Sequence, residues 1–333
     1  MWQGGHQWKR IYKLEHDDAV LAVYAIAHTT PSGYRHIYAI TGSYDGTAGV
    51  WNLHSGAHLR TLQHDNTVLA VHAMGDHVIT GSCDNTAGVW DLRSGNRLWT
   101  LQHNNWVLAV YYAMDNYVIT GSRDNTAGVW DLRSGERLQR LEHGAEVYAV
   151  YAIRDCVITG SEDCTAGVWD LETGECRCVM QHADGVRAVY AIGNRVITGS
   201  HDNTAGIWDL ENGDLQHILQ HDNWVVAVHA IGDRVITGSC DNTAGVWDLQ
   251  SGACLHTLQH DDQVVAVHAI DGRVITGSTD STAGVWGDPL KKLRVVALTG
   301  ASLERARLRA AERTYAPGGV GPRIWKTILR LHA

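Results

Sequence analysis

Seven tryptophans, Trp51, Trp90, Trp130, Trp169, Trp208, Trp247 and Trp286, stand 39, 40, 39, 39, 39 and 39 residues apart. A period of this length marks a chain built from repeated units. Each unit is too small to bury both faces of its own secondary structure and must stack on its neighbours. A histidine keeps the same beat at His16, His64, His103, His143, His182, His221 and His260. The first interval is longer, at 48 residues, because unit one carries an insertion around AHTTPSGYRH (27–36).

Within a unit, short segments such as VLAVHAM, HVITGS, TAGVW and RLWTLQ are separated by GD, DN or SG turn signals. Segments this short and this rich in Val, Ile and Thr predict an antiparallel meander of four strands. The chain has no Phe and 13 Trp, so the core falls to Val, Ile, Leu, Ala and Trp. A closed ring of stacked four-stranded sheets leaves no open end, which points to an all-β propeller of seven blades.

The surroundings of each tryptophan repeat too, with a Thr four residues before an Asp and Trp six residues beyond it. The sets are His16, Thr41, Asp45, Trp51; His64, Thr80, Asp84, Trp90; His103, Thr120, Asp124, Trp130; His143, Thr159, Asp163, Trp169; His182, Thr198, Asp202, Trp208; His221, Thr237, Asp241, Trp247; and His260, Thr276, Asp280, Trp286. Over about residues 8–287 these units resemble the WD-repeat β-propeller family. The resemblance implies a hydrogen-bond chain in which Asp accepts from His, His meets the Thr hydroxyl and the hydroxyl meets the indole N–H. It also implies partner contacts at the loop-rich end, and a role as an interaction scaffold in signalling, trafficking or ubiquitin-ligase assemblies.

Some letters depart from the family pattern. Gln63 or Glu142 precedes the His where the family has Gly, and Ala87-Gly88 replaces a bulky residue and a cation. One place before the usual inner-strand aromatic, the seven units read Tyr24, His72, Tyr111, Tyr151, Tyr190, His229 and His268. This predicts a volume exchange, with Ala-Gly making room for the shifted rings. The last unit stops after Trp286, while HQWKRIYKLEH (6–16) matches the fourth-strand pattern GERLQRLEH (135–143). The N-terminal segment is therefore expected to complete the last blade and close the ring.

Against this uniform background three columns vary. At three and five residues after the His, and just before the Asp, the units read Ala19, Leu21, Tyr44; Thr67, Leu69, Cys83; Trp106, Leu108, Arg123; Glu146, Tyr148, Glu162; Gly185, Arg187, His201; Trp224, Val226, Cys240; and Gln263, Val265, Thr279. In a meander these positions share one end of the sheet, so they form a composite rim. Tyr44, Trp106, Leu108, Arg123, Glu146, Tyr148, Glu162, Arg187, His201 and Trp224 are the residues expected to bind a partner, being rich in the types that carry interface energy. The alternative is drift at solvent positions, but drift seldom exposes two tryptophans.

The net charge of -9 is unevenly spread. Residues 288–333 hold ten Lys or Arg against three acidic residues, making this stretch +7 and the rest -16. It reads as a basic extension beyond the 1–287 propeller. It is a solvated tail, an arm for an anionic partner or a segment docking on the propeller, with KKLRVVAL able to form a strand and SLERARLRAAERTY a short helix. A rival function, nucleic-acid association, would rest on this tail, yet the acidic propeller repels phosphates.

The seven cysteines lack a CxxC pair and a preceding leader, which predicts reduced thiols in a cytoplasmic or nuclear protein. No apolar run approaches the ~18 residues of a membrane span. His54 and His58 have HxxxH spacing and Cys176 and Cys178 alternate, and turn or strand placement makes packing the better account of both. GxxxxGK[ST], GxSxG and HExxH motifs are missing. No catalytic residue, cofactor or metal is therefore expected. The expected function is that of a non-catalytic scaffold or adaptor for a protein or peptide partner, as a monomer or within a larger complex.

Overall fold

The computed structural model describes residues 14–29, 35–113, 116–270 and 272–287. Blade two shows how each unit is made. Its strands run Val68–Met74, His77–Ser82, Thr86–Asp91 and Arg97–Gln102, paired in that order and all antiparallel. The Asp84-Asn85 corner between the second and third strands needs a left-handed residue, and Asn85 has φ of 70°. The same corner holds Gly46, Asn125, Cys164, Asn203, Asn242 and Ser281, so Cys164 and Ser281 depart from the favoured Gly or Asn.

Seven such sheets follow one another, six four-stranded and the last three-stranded among the described residues. This is the all-β, seven-bladed propeller that the 39-residue beat predicts. Most of the segment 6–16, assigned to the missing strand, lies outside the described residues. The same holds for the tail, including its expected strand and helix. By contacts the chain divides into Met1–Trp286 and Gly287–Ala333.

The core lies between blades. Ile40, Ala48, Val50 and Leu62 of blade one meet Val68, Ala73, Val78, Trp90 and Leu92 of blade two in one buried cluster. The fit is tight. A Cβ on Gly42, Gly81, Gly121, Gly160, Gly199 or Gly238 would stand 2.9 Å from the first strand of the following blade. Among the described residues at the junction of blades seven and one, a Cβ on the corresponding Gly277 would meet only Ala266 of its own blade within 4 Å, and Val23 is 67 % and Val285 46 % exposed.

Each blade is locked by one buried polar chain. The Trp Nε1–H donates to the Thr Oγ1 at 2.8 Å in all seven. That hydroxyl lies 2.6 or 2.7 Å from His Nε2. His Nδ1 lies 2.6 to 3.0 Å from Asp Oδ2. A hydroxyl has one proton, so giving it to Nε2 fixes the ring proton on Nδ1, where the carboxylate accepts it. Burial pushes Asp45 up, but hydrogen bonds from Thr47, His16 and Ser43 outweigh it and hold the carboxyl at about 2. Its contribution is therefore present above the usual carboxylate range and lost only as pH falls through about 2.

Two members of the chain escaped the sequence reading. Thr86 donates to Asp84 Oδ1 at 2.7 Å, and Ser82 Oγ accepts from the Asp84 N–H at 3.1 Å. Both recur in the other blades, as with Thr126 and Ser122 on Asp124.

The volume exchange takes a different form from the one expected. The room left by glycine in Ala-Gly is used by the blade's own indole, since a Cβ on Gly88 would stand 2.4 Å from Trp90 Nε1. The shifted rings instead pack on one another at tilted angles along the inner strands. Successive centroids from Tyr24 through His72, Tyr111, Tyr151, Tyr190 and His229 to His268 lie 4.3, 4.7, 4.7, 4.7, 4.6 and 4.4 Å apart. Burial lowers His72 to about 4, and its Nδ1 accepts the Tyr112 N–H at 3.3 Å.

Two outcomes follow. Thr120→Val removes both the indole's acceptor and the imidazole's donor, and should cost ~1–3 kcal/mol in urea unfolding while leaving the native sheet signal intact. His72 stays neutral in the fold while its unfolded form protonates near 6.5, so its contribution falls as pH drops from about 6.5 to about 4. His72→Phe should remove a pH-dependent loss on the order of 2–3 kcal/mol over that window. An unchanged pH slope would contradict the neutral assignment.

Candidate functional site

The rim is built by the frame. In every blade the N–H of the residue before the Asp donates to the carbonyl of the residue three after the His: Tyr44 to Ala19, Cys83 to Thr67, Arg123 to Trp106, Glu162 to Glu146, His201 to Gly185, Cys240 to Trp224 and Thr279 to Gln263. These are backbone bonds, indifferent to the side chains carried. The letters can change while the geometry stays. Tyr44 is exposed, as are Trp106 at 39 % and Trp224 at 46 %, and Arg123 reaches solvent from the same end.

What repetition could not reveal is how these side chains meet across blades. Arg123 of blade three lies over Trp106 at 4.9 Å, and its Nε donates to Glu146 Oε1 of blade four at 3.2 Å. Arg187 of blade five lies over Tyr148 of blade four at 3.6 Å and pairs with Glu162 Oε2 at 3.0 Å. Its Nε also donates to His201 Nε2 at 2.8 Å, and the His201 ring stacks on Trp224 of blade six at 4.0 Å and 15°. The charges that alternate along the sequence are therefore largely spent on one another, as a lateral band over blades three to six. Leu108 is half-buried in blade three, and Tyr44 stands apart in blade one.

The band has local causes. The Glu162 carboxylate lies against Gly185, the third residue after His182, in space that a Cβ there would share. Burial and the adjacent Arg187 charge lower His201, with Asp184 opposing, so the ring is neutral and accepts the guanidinium proton. Protonation of His201 would replace that acceptor with a second positive charge.

Among the described residues no group of three or more His, Cys, Asp or Glu is placed to hold a metal ion. His58 packs on Trp51 at 4.4 Å, and the seven cysteines are unbridged. No described helix is long and apolar enough to cross a membrane.

Comparison with known proteins agrees with this architecture. The computationally designed Ika8 protein, solved by crystallography, superposes with a TM-score of 0.73 at 26 % identity, covering 84 % of this chain and 100 % of the designed one. Among curated proteins none matches. The family described as WD domain, G-beta repeat matches residues 56–91, 95–131, 174–209, 213–248 and 252–287. The first three strands of blade four lie outside those matches, yet the blade keeps its full chain of His143, Asp163, Thr159 and Trp169. With five matched repeats spanning more than half its length, the chain belongs to the WD-repeat family, whose propellers are typically non-catalytic and generally serve as protein-interaction scaffolds.

Proposed function

We propose that this chain is a non-catalytic scaffold that binds a protein or peptide partner on the loop-rich rim, acting as an adaptor or substrate-recognition subunit. The supporting observation is the band of Trp106, Arg123, Glu146, Tyr148, Glu162, Arg187, His201 and Trp224, which links four blades and leaves two indoles exposed. Within the free surface the paired Arg123 lies over Trp106, and His201, hydrogen-bonded to Arg187, stacks on Trp224. A partner therefore meets a preorganised aromatic surface and loses less side-chain entropy on binding. Leu108 and Tyr44 extend the contact toward blades three and one.

Affinity capture from cell extract tests this reading, with intact protein beside a Trp106→Ala, Arg123→Ala, Arg187→Ala, Trp224→Ala variant. The partner should be lost from the variant, with binding weakened at least ~100-fold if each indole is worth about 2 kcal/mol. The variant's melting temperature checks that the frame is intact. An identical set of captured proteins at equal stability would refute the placement of the site.

A further inference from the structure

The residue paired opposite each blade's tryptophan at the start of the fourth strand is His58, Arg97, Arg137, Cys176, Leu215 or Cys254 in blades one to six. In blades two and three this residue fills a cradle. The Arg97 guanidinium lies over Trp90 at 4.8 Å, donates to Thr86 Oγ1 at 3.0 Å and feels the Asp84 charge. The Arg137 guanidinium lies over Trp130 at 4.3 Å, donates to the Gln102 carbonyl at 2.8 Å and feels Asp124. Each cradle offers an indole face, a threonine hydroxyl, the glutamine that precedes the structural His, and an ionised carboxylate.

Blade five has the same cradle with an uncharged residue at the arginine's place. Leu215 replaces the arginine, and a cavity of about 220 Å³ remains, lined by Trp208, Thr204, Gln181 and Asp202 with Leu215 and Ile218 at its edge. The mouth is apolar and open, with Leu215 45 % and Ile218 59 % exposed. At the place of Ile218 the other blades carry Thr61, Thr100, Arg140, Val179 and Thr257. Blade five thus combines an aliphatic entrance with an acidic, aromatic floor.

We propose that this cavity receives an arginine side chain presented by a protein partner. The guanidinium would take the place that Arg97 and Arg137 occupy in their own blades, stacked on Trp208 and donating to Thr204 and Gln181. Leu215 and Ile218 would cover the aliphatic stem. Lysine lacks the planar fork that stacks and donates at once. An anion would face the Asp202 carboxylate. This second contact opens on the fourth-strand side of blade five and does not depend on the rim residues.

The test uses the full chain labelled with ¹⁵N and N-acetyl-arginine methylamide as the probe, with the lysine and citrulline analogues as comparisons. The Trp208 indole resonance should shift with the arginine probe at millimolar concentration, and at least ~10-fold more weakly with either analogue, since neither combines charge with the planar fork. Leu215→Arg should fill the cavity from within, abolish the shift and raise the melting temperature. The Trp106→Ala, Trp224→Ala variant should retain the shift, which separates this site from the rim. A Trp208 resonance unmoved by the arginine probe, an equal response to lysine, or a shift that survives in folded Leu215→Arg would overturn the proposal.

Discussion

One hydroxyl per blade carries the structure. Thr80 and its six counterparts each accept an indole proton and pass their own to a histidine, so the tryptophan, the histidine and the aspartate behind it are oriented together. A buried indole N–H or carboxylate left unpaired would cost more than the bonds themselves contribute. The arrangement needs glycine at Gly88 and its equivalents, because the indole lies where any Cβ would be. The Trp side chain then closes the face that packs on the neighbouring blade, as Trp90 does against blade one. The polar chain thus fixes both the blade and the seam.

The same chain separates frame from surface. Asp84 is held by His64, Thr86 and the neighbouring backbone, and the residue before it is tied to the frame through its own N–H. That residue has no packing duty, so Tyr44, Cys83, Arg123, Glu162, His201, Cys240 and Thr279 can occupy equivalent places. In blades three to six the freedom has been used to build ion pairs and ring stacks between blades. The Arg123–Glu146 pair is exposed and adds little stability, while the Arg187 contacts are half-buried. What they contribute is the fixed orientation of Trp106 and Trp224.

Much of this was legible in the sequence because it repeats. The 39-residue beat gave the blade count, the short Val- and Thr-rich segments gave the strands, and the His, Thr, Asp and Trp columns gave the polar chain. Ser82 and Thr86 recur just as faithfully, and their signal was present but unused. The three variable columns lie together at one end of the blades, as a meander requires, yet their side-chain bonds are not visible in the sequence. Arg187 meeting Glu162, Tyr148 and His201 joins letters from columns that differ in every blade, and periodicity says nothing about such contacts. The Ala-Gly pair was misread for a related reason. Its glycine and Trp90 sit two places apart on one strand face, a closer relation than the one with the inner-strand rings, which found each other instead.

The central claim is that the frame folds without regard to the letters on its rim. It is tested most directly by replacing Tyr44, Cys83, Arg123, Glu162, His201, Cys240 and Thr279 with serine together and following urea unfolding of the product. Retention of one cooperative transition, with a stability loss below about 2 kcal/mol, is the predicted result, since the pairs removed are exposed or half-buried and lie outside the core between blades. Loss of cooperativity, or of the native sheet before denaturant is added, would show that the rim helps to hold the blades and would contradict the account.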